Sequence, residues 1–144
     1  LNVYQFVLFL HILGSLALGF YLILPFVLGP VFKLATPAQE GAVTAVRTAN
    51  RFGQYGLVIQ LLSGGYMMSK EEYPVAWMVI VVVLFVAAGA LSGIIGKPLR
   101  LAIEGIRQKK EVQAHFNKVR TLSTVLAIVV LLIVFVMVYP NLFA

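Results

Sequence analysis

Cysteine is missing from this chain altogether, and charge is scarce: its 144 residues include 11 lysines and arginines, 5 acids and 2 histidines. Without cysteine there can be no disulfide, no thiolate metal site and no Cys-x-x-Cys-His attachment of a c-type haem. Charged residues make up 11% of the chain against ~25% in an ordinary soluble domain, and apolar residues 61% against ~45–50%. Other patterns are missing too. The apolar stretches hold no carboxylate, and the chain has no Ser/His/Asp set, no glycine loop to cradle phosphate and no His-x-x-x-His pair. Hydrolytic chemistry therefore has no visible machinery, and a proton-coupled transporter would lack its intramembrane acid.

Four long apolar blocks fill the space, at residues 3–32, 53–68, 75–95 and 122–139, and the mean hydropathy is +0.99. A hydrocarbon core of ~30 Å needs about 20 helical residues to cross. The first block is longer than that, and Pro25 and Gly29-Pro30 are expected to kink or end it. No charge precedes Lys33, so the short apolar core behind a basic start that marks a cleaved signal is not expected, and the first helix should remain. The second block is short, but "TPAQEGAVTAVRTANRFGQYG" extends it backwards. Thr36 can cap, Pro37 suits the first helical position and Gln39 completes a capping box, predicting one helix from about 37 to 69.

Residues 98–118 should form a basic helical connection, either lying on the membrane surface, continuing the third helix or simply a solvated linker. Leu99, Ala102, Ile103 and Ile106 recur at helical spacing, with Arg100–Glu104 and Arg107–Glu111 placed to pair. Gly89-x-x-x-Gly93, with Ser92 and Gly96, should let another helix pack closely, within the monomer or across a dimer. The expected fold is an all-α, four-helix integral membrane bundle in one domain. Residues 37–52 and 98–118 would be its cytoplasmic extensions.

Orientation follows from the cations. Lys33, Arg47 and Arg51 flank the first connection, and Lys97, Arg100, Arg107, Lys109, Lys110, Lys118 and Arg120 the third, while Lys70 alone lies opposite. The positive-inside rule then puts both termini outside, with Tyr4, Tyr66, Tyr73, Trp77 and Tyr139 as an outer aromatic belt. The net charge of +6 is explained by this topology, so nucleic acid is not an expected partner. The lipid bilayer is, along with a second copy or a membrane-complex subunit.

Within that frame His11 is the one ionisable side chain deep in a span, about 12 Å along its helix from Val3. Such a residue marks a functional site by default. Gly14 and Ser15 leave room beside it, and Gln60, Gly64 and Met67 share a face of the second helix. The methionines Met67, Met68, Met78 and Met137 all fall near the outer side. Imidazole with thioether suits haem iron or copper(I). Without a ligand, His11 would be neutral and bond to Ser15, Gln60 or Ser63. His115 lies at the inner end of the fourth helix, too far away to complete a pair within one chain.

The segments "FLHILGSLALGFYLILPF", "RTANRFGQYGLVIQLLSGGYMM" and "VMVYP" resemble small bacterial four-helix integral membrane proteins. These are related to the membrane domain of copper resistance protein D and share an outline with HemJ-type protoporphyrinogen oxidases. The resemblance implies a multi-pass protein of the bacterial inner membrane. In the oxidases a first-helix histidine serves haem, and it corresponds to His11. A third-helix lysine accompanies it there, and residues 75–95 contain none, so the lysine does not carry over and the oxidase activity is not the expected function. The expected function is a b-type haem protein for electron transfer, haem handling or small-ligand sensing, with oxidoreductase chemistry an open possibility. His11 would be one axial ligand and a methionine, Met67 first, or water the other, with Gly14, Ser15 and Gly64 clearing the macrocycle beside Gln60. A copper-handling protein and a cofactor-free accessory subunit are the alternatives.

Overall fold

The computed structural model describes residues 1–143 and consists of helices joined by short turns. The elements are α1 Val3–Val31, α2 Thr36–Lys70, α3 Val75–Ile94, α4 Gly96–Arg107, α5 Gln113–Val138 and a closing 3-10 turn, Pro140–Phe143. α1 starts with a capping box: Asn2 accepts from the Gln5 N–H at 2.8 Å, and Gln5 accepts from the Asn2 N–H at 3.1 Å. The helix continues through Pro25 and stops just after Pro30, where Phe32 caps it. The box expected at Thr36 does not form. Ala35 takes the N-cap position, Thr36 is already helical, and Gln39 donates instead to the Phe32 carbonyl at 3.0 Å. That carbonyl is an orphan acceptor at the end of α1, and Pro37 supplies the helix start without side-chain help.

The predicted 98–118 connection divides in two. α4 follows α3 after a bend at Ile95 and ends at Arg107, where Lys109 adopts a left-handed φ of 55°. The Lys110 N–H reaches the Gly105 carbonyl at 2.8 Å and the Lys109 N–H that of Ile106 at 3.2 Å, a Schellman closure. The apolar face of α4 does not lie on a membrane surface. Leu99, Ala102, Ile103 and Ile106 are buried, with α4 wedged against α2 and α5. Arg100 approaches Glu104 at 4.0 Å, as its spacing predicts, but Arg107 pairs with Glu40 on α2 at 2.6 Å rather than with Glu111. Glu111 instead accepts from the Val112 and Gln113 N–H groups at the start of α5.

α1 packs between α2 and α5, and α3 packs on α5, so α2–α1–α5–α3 form an up-and-down ring. The ring closes weakly, because α2 and α3 touch less than the other three pairs of the ring. Leu18, Tyr21, Leu24, Leu28 and Val31 repeat every three or four residues and give α1 one buried face. They meet Val43, Val46 and Leu57 of α2, Ala88 of α3 and Val119, Leu126 and Val130 of α5. Asn50 ties three helices together. It accepts from the Tyr21 hydroxyl at 2.8 Å and donates to the Ser92 carbonyl at 3.1 Å, interhelical bonds worth about 0.6 kcal/mol each between apolar helices.

The outside of the bundle is as apolar as the inside. Phe6, Phe9, Leu16, Ile23, Phe26, Val58, Leu61, Leu62, Val82, Val83, Val86, Leu131 and Leu132 are all exposed, far beyond the apolar patch a soluble monomer presents. Three helical lengths are long and apolar enough to cross a membrane: Val3–Val31, Val75–Arg107 and Gln113–Val138. α2 is long enough but too polar in composition to join them.

Candidate functional site

The end of the bundle that holds the α2–α3 turn carries a cavity of about 240 Å³. His11 of α1, Gly64, Met67 and Met68 of α2, Trp77 of α3 and Met137 of α5 line it, with Tyr73 and Pro140. Three of the four methionines thus share a cavity with the one histidine placed within a span. A second, narrower cavity of about 110 Å³ shares His11, Gly64, Met68 and Met137 and continues between α2 and α3 past Gln60. Trp77 forms a rigid wall. Its indole N–H donates to the Val136 carbonyl at 2.7 Å, and Tyr73 stacks on it at 4.7 Å between ring centroids.

The orientation of His11 is set by Ser63, which lies 3.0 Å from Nδ1. A hydroxyl has one proton, and that of Ser63 goes to the Ile59 carbonyl one helical turn back, at 2.6 Å. The serine oxygen is therefore the acceptor and Nδ1–H the donor. With the serine proton on Ile59, the matching tautomer carries its hydrogen on Nδ1 and a lone pair on Nε2. An outer-shell partner of this kind orients a metal-binding imidazole. The ring lies against Gly64, where an added Cβ would stand at ordinary contact distance, 3.4 Å from Cε1 of His11.

The expected site residues are not all brought together. His11, Gly64 and Met67 line the larger cavity and Gln60 the smaller one. Gly14 does not border either: it makes room for Gln60, whose Oε1 occupies the place of a side chain at that position. Ser15 is exposed, its hydroxyl donating to the Ile12 carbonyl at 2.6 Å. Gln60 Oε1 is buried without a hydrogen-bond partner among the described residues, which costs about 1–3 kcal/mol unless a donor reaches it. Met78 packs beside Trp77 and stays out of the cavity. Met68 and Met137 enter the site beside Met67, and the signal for them was their common position at the ends of spans. His115 sits near the start of α5, about 33 Å along that helix from Met137.

Chemically the site is neutral and soft. Among the described residues no three His, Cys, Asp or Glu side chains gather to hold a metal ion, and the cavity offers imidazole and thioether donors. The larger cavity, at about 240 Å³, is smaller than the ~300–1,000 Å³ of organic-ligand sites. A volume of this size suits an ion or a few small molecules. No family model, curated protein or solved structure matches the chain.

Proposed function

We propose that this protein binds copper(I) in the membrane, with the Nε2 of His11 and the thioethers of Met67, Met68 and Met137 as the donor set. The observation that carries this reading is that three methionines from two helices line one cavity with a histidine whose Nδ1 is engaged by Ser63. Thioether and imidazole are soft and neutral donors that favour copper(I) over harder ions. Their neutrality matters in an apolar setting. The cost of burying charge grows with its square, so a monovalent ion with neutral ligands is far less costly there than a divalent one. Trp77 and the methionines give the cavity an apolar lining, and thioether donors favour the reduced ion. A protein of this kind would handle or pass on copper rather than catalyse a reaction with it.

The setting we infer is a multi-pass bundle in a bacterial inner membrane, with α2 as a fourth span and both termini outside. The exposed Val58, Leu61 and Leu62 support the fourth span, since they continue the apolar band of the neighbouring helices. The gathering of ten of the eleven cations at the opposite end from the His11 cavity supports the orientation.

Haem at His11 is the second reading. It is favoured by the weak contact between α2 and α3, the helices that would have to part to admit a macrocycle. Purified protein titrated with copper(I) against a chromogenic chelator, beside absorption spectra with and without added haem, separates the two. One tightly held copper per chain and no Soret band is the expected result. A Soret band with no copper retained overturns the copper reading in favour of haem, and failure to bind either leaves the accessory-subunit alternative.

A further inference from the structure

We propose that the crevice between α2 and α3 binds an anionic phospholipid, its phosphate held at the basic end and one acyl chain lying along the glycine-lined groove. This rests on the membrane setting but not on what His11 binds. A cavity of about 310 Å³ opens where α2 passes the α3–α4 bend, and four cations line it: Arg47, Arg51, Lys97 and Arg100. Among the described residues only Arg100 has a carboxylate within 4.0 Å, that of Glu104, while Arg47, Arg51 and Lys97 have none. Four like charges around one space repel unless an anion enters. Basic pockets between spanning helices at the cytoplasmic side are suited to phosphate headgroups.

Lipid rather than a soluble anion follows from what adjoins this cavity. Gln54 lines both it and a neighbouring apolar groove of about 280 Å³ formed with Val58, Leu61, Phe85 and Gly89. Gly89, Gly93 and Gly96 were expected to pack against another helix, but a side chain added at any of them would meet nothing within 4 Å. The small residues hold the crevice open instead of closing it. From Arg51 to Leu61 the groove runs about 15 Å along α2, half the ~30 Å hydrocarbon core and so the depth of one leaflet. A second copy of this chain is a poorer occupant, because docking two α3 helices side by side in one membrane would bring both sets of cations together.

The test uses the full chain in neutral detergent, with lipid retention read by native mass spectrometry against phosphatidylglycerol and phosphatidylcholine of matched chains. Phosphatidylglycerol should be held at least tenfold better. Arg47→Gln with Arg51→Gln, both at exposed positions, should remove most of that preference, at about fivefold per cation. Gly89→Leu leaves every cation in place and should weaken lipid retention about tenfold by filling the groove, whereas His11→Ala should leave it unchanged. Equal retention of the two lipids, or a preference indifferent to the arginine changes, overturns the proposal. So does full displacement by millimolar inorganic phosphate with no effect of Gly89→Leu, which would mark a soluble-anion site. A lipid-free dimer that Gly89→Leu dissociates would assign the crevice to a second copy.

Discussion

The two cavities lie at opposite ends of the bundle, share α2 as a wall and have opposite chemistry. At the α2–α3 turn, His11 meets methionines and an aromatic wall, with no charged side chain among the lining residues. At the other end, Arg47, Arg51, Lys97 and Arg100 surround a polar space whose cations are exposed. The difference teaches where each kind of donor can be kept. Neutral imidazole and thioether groups tolerate depth because burial costs them little, whereas guanidinium and ammonium groups stay where water or headgroups can reach them. α2, the least apolar of the long helices, lines the cavities at both ends.

The comparison breaks most sharply at His11. His11→Ala should weaken copper(I) binding by at least about 100-fold, above the 10–100-fold loss typical of an outer-shell partner, without changing lipid retention. A chelator-competition titration checks it, and unchanged affinity would remove His11 from the site. Replacing Met67 and Met137 together by leucine keeps the volume but removes two sulfurs, so a loss of several tens-fold is expected in the same titration. Loss of that size from the double leucine variant would separate ligation from packing, because leucine fills a methionine site at little cost.

Ser63→Ala sharpens the contrast between a ligand and the group that orients it. About tenfold weaker copper binding is expected, because Nδ1–H loses its acceptor and the ring its fixed orientation. Ser63→Thr, which restores the hydroxyl, should recover most of the affinity, and failure to do so would point to a packing effect. The smallest change belongs to Gly64→Ala. Its Cβ would sit at ordinary contact distance, 3.4 Å from Cε1 of His11, so a shift of about twofold or less is expected. A large loss there would mean that the ring lies closer to α2 in the bound protein.

Much of the fold was legible because apolar periodicity is a local property. The long helix from about 37 to 69 is present as Thr36–Lys70, since Pro37 and an uninterrupted helical pattern do not depend on partners. Its capping box was not legible, because the Phe32 carbonyl competes for Gln39 and that competition exists only once α1 ends beside α2. The same holds for Arg107. Spacing on one helix pointed to Glu111, but Glu40 of α2 offers a closer carboxylate once α4 is wedged against it. At the site, His11 stood out as a lone ionisable side chain among apolar neighbours, and Ser63 was one of three partners its position allowed. Gly14 and Ser15 were expected to leave space beside the imidazole, and the structure places them elsewhere. One of them accommodates Gln60, and the other points away from the bundle.

The sequence by itself determined an apolar all-α chain with its cations gathered at one end, because hydrophobic runs, helix breakers and charge asymmetry act along the chain. Only the tertiary structure decided that His11, Ser63 and Met137 share a neighbourhood and that the Gly89 and Gly93 face stays open. Those outcomes depend on how far each helix slides and rotates against the next. That register is set by side chains from distant segments packing together, and no single segment carries it.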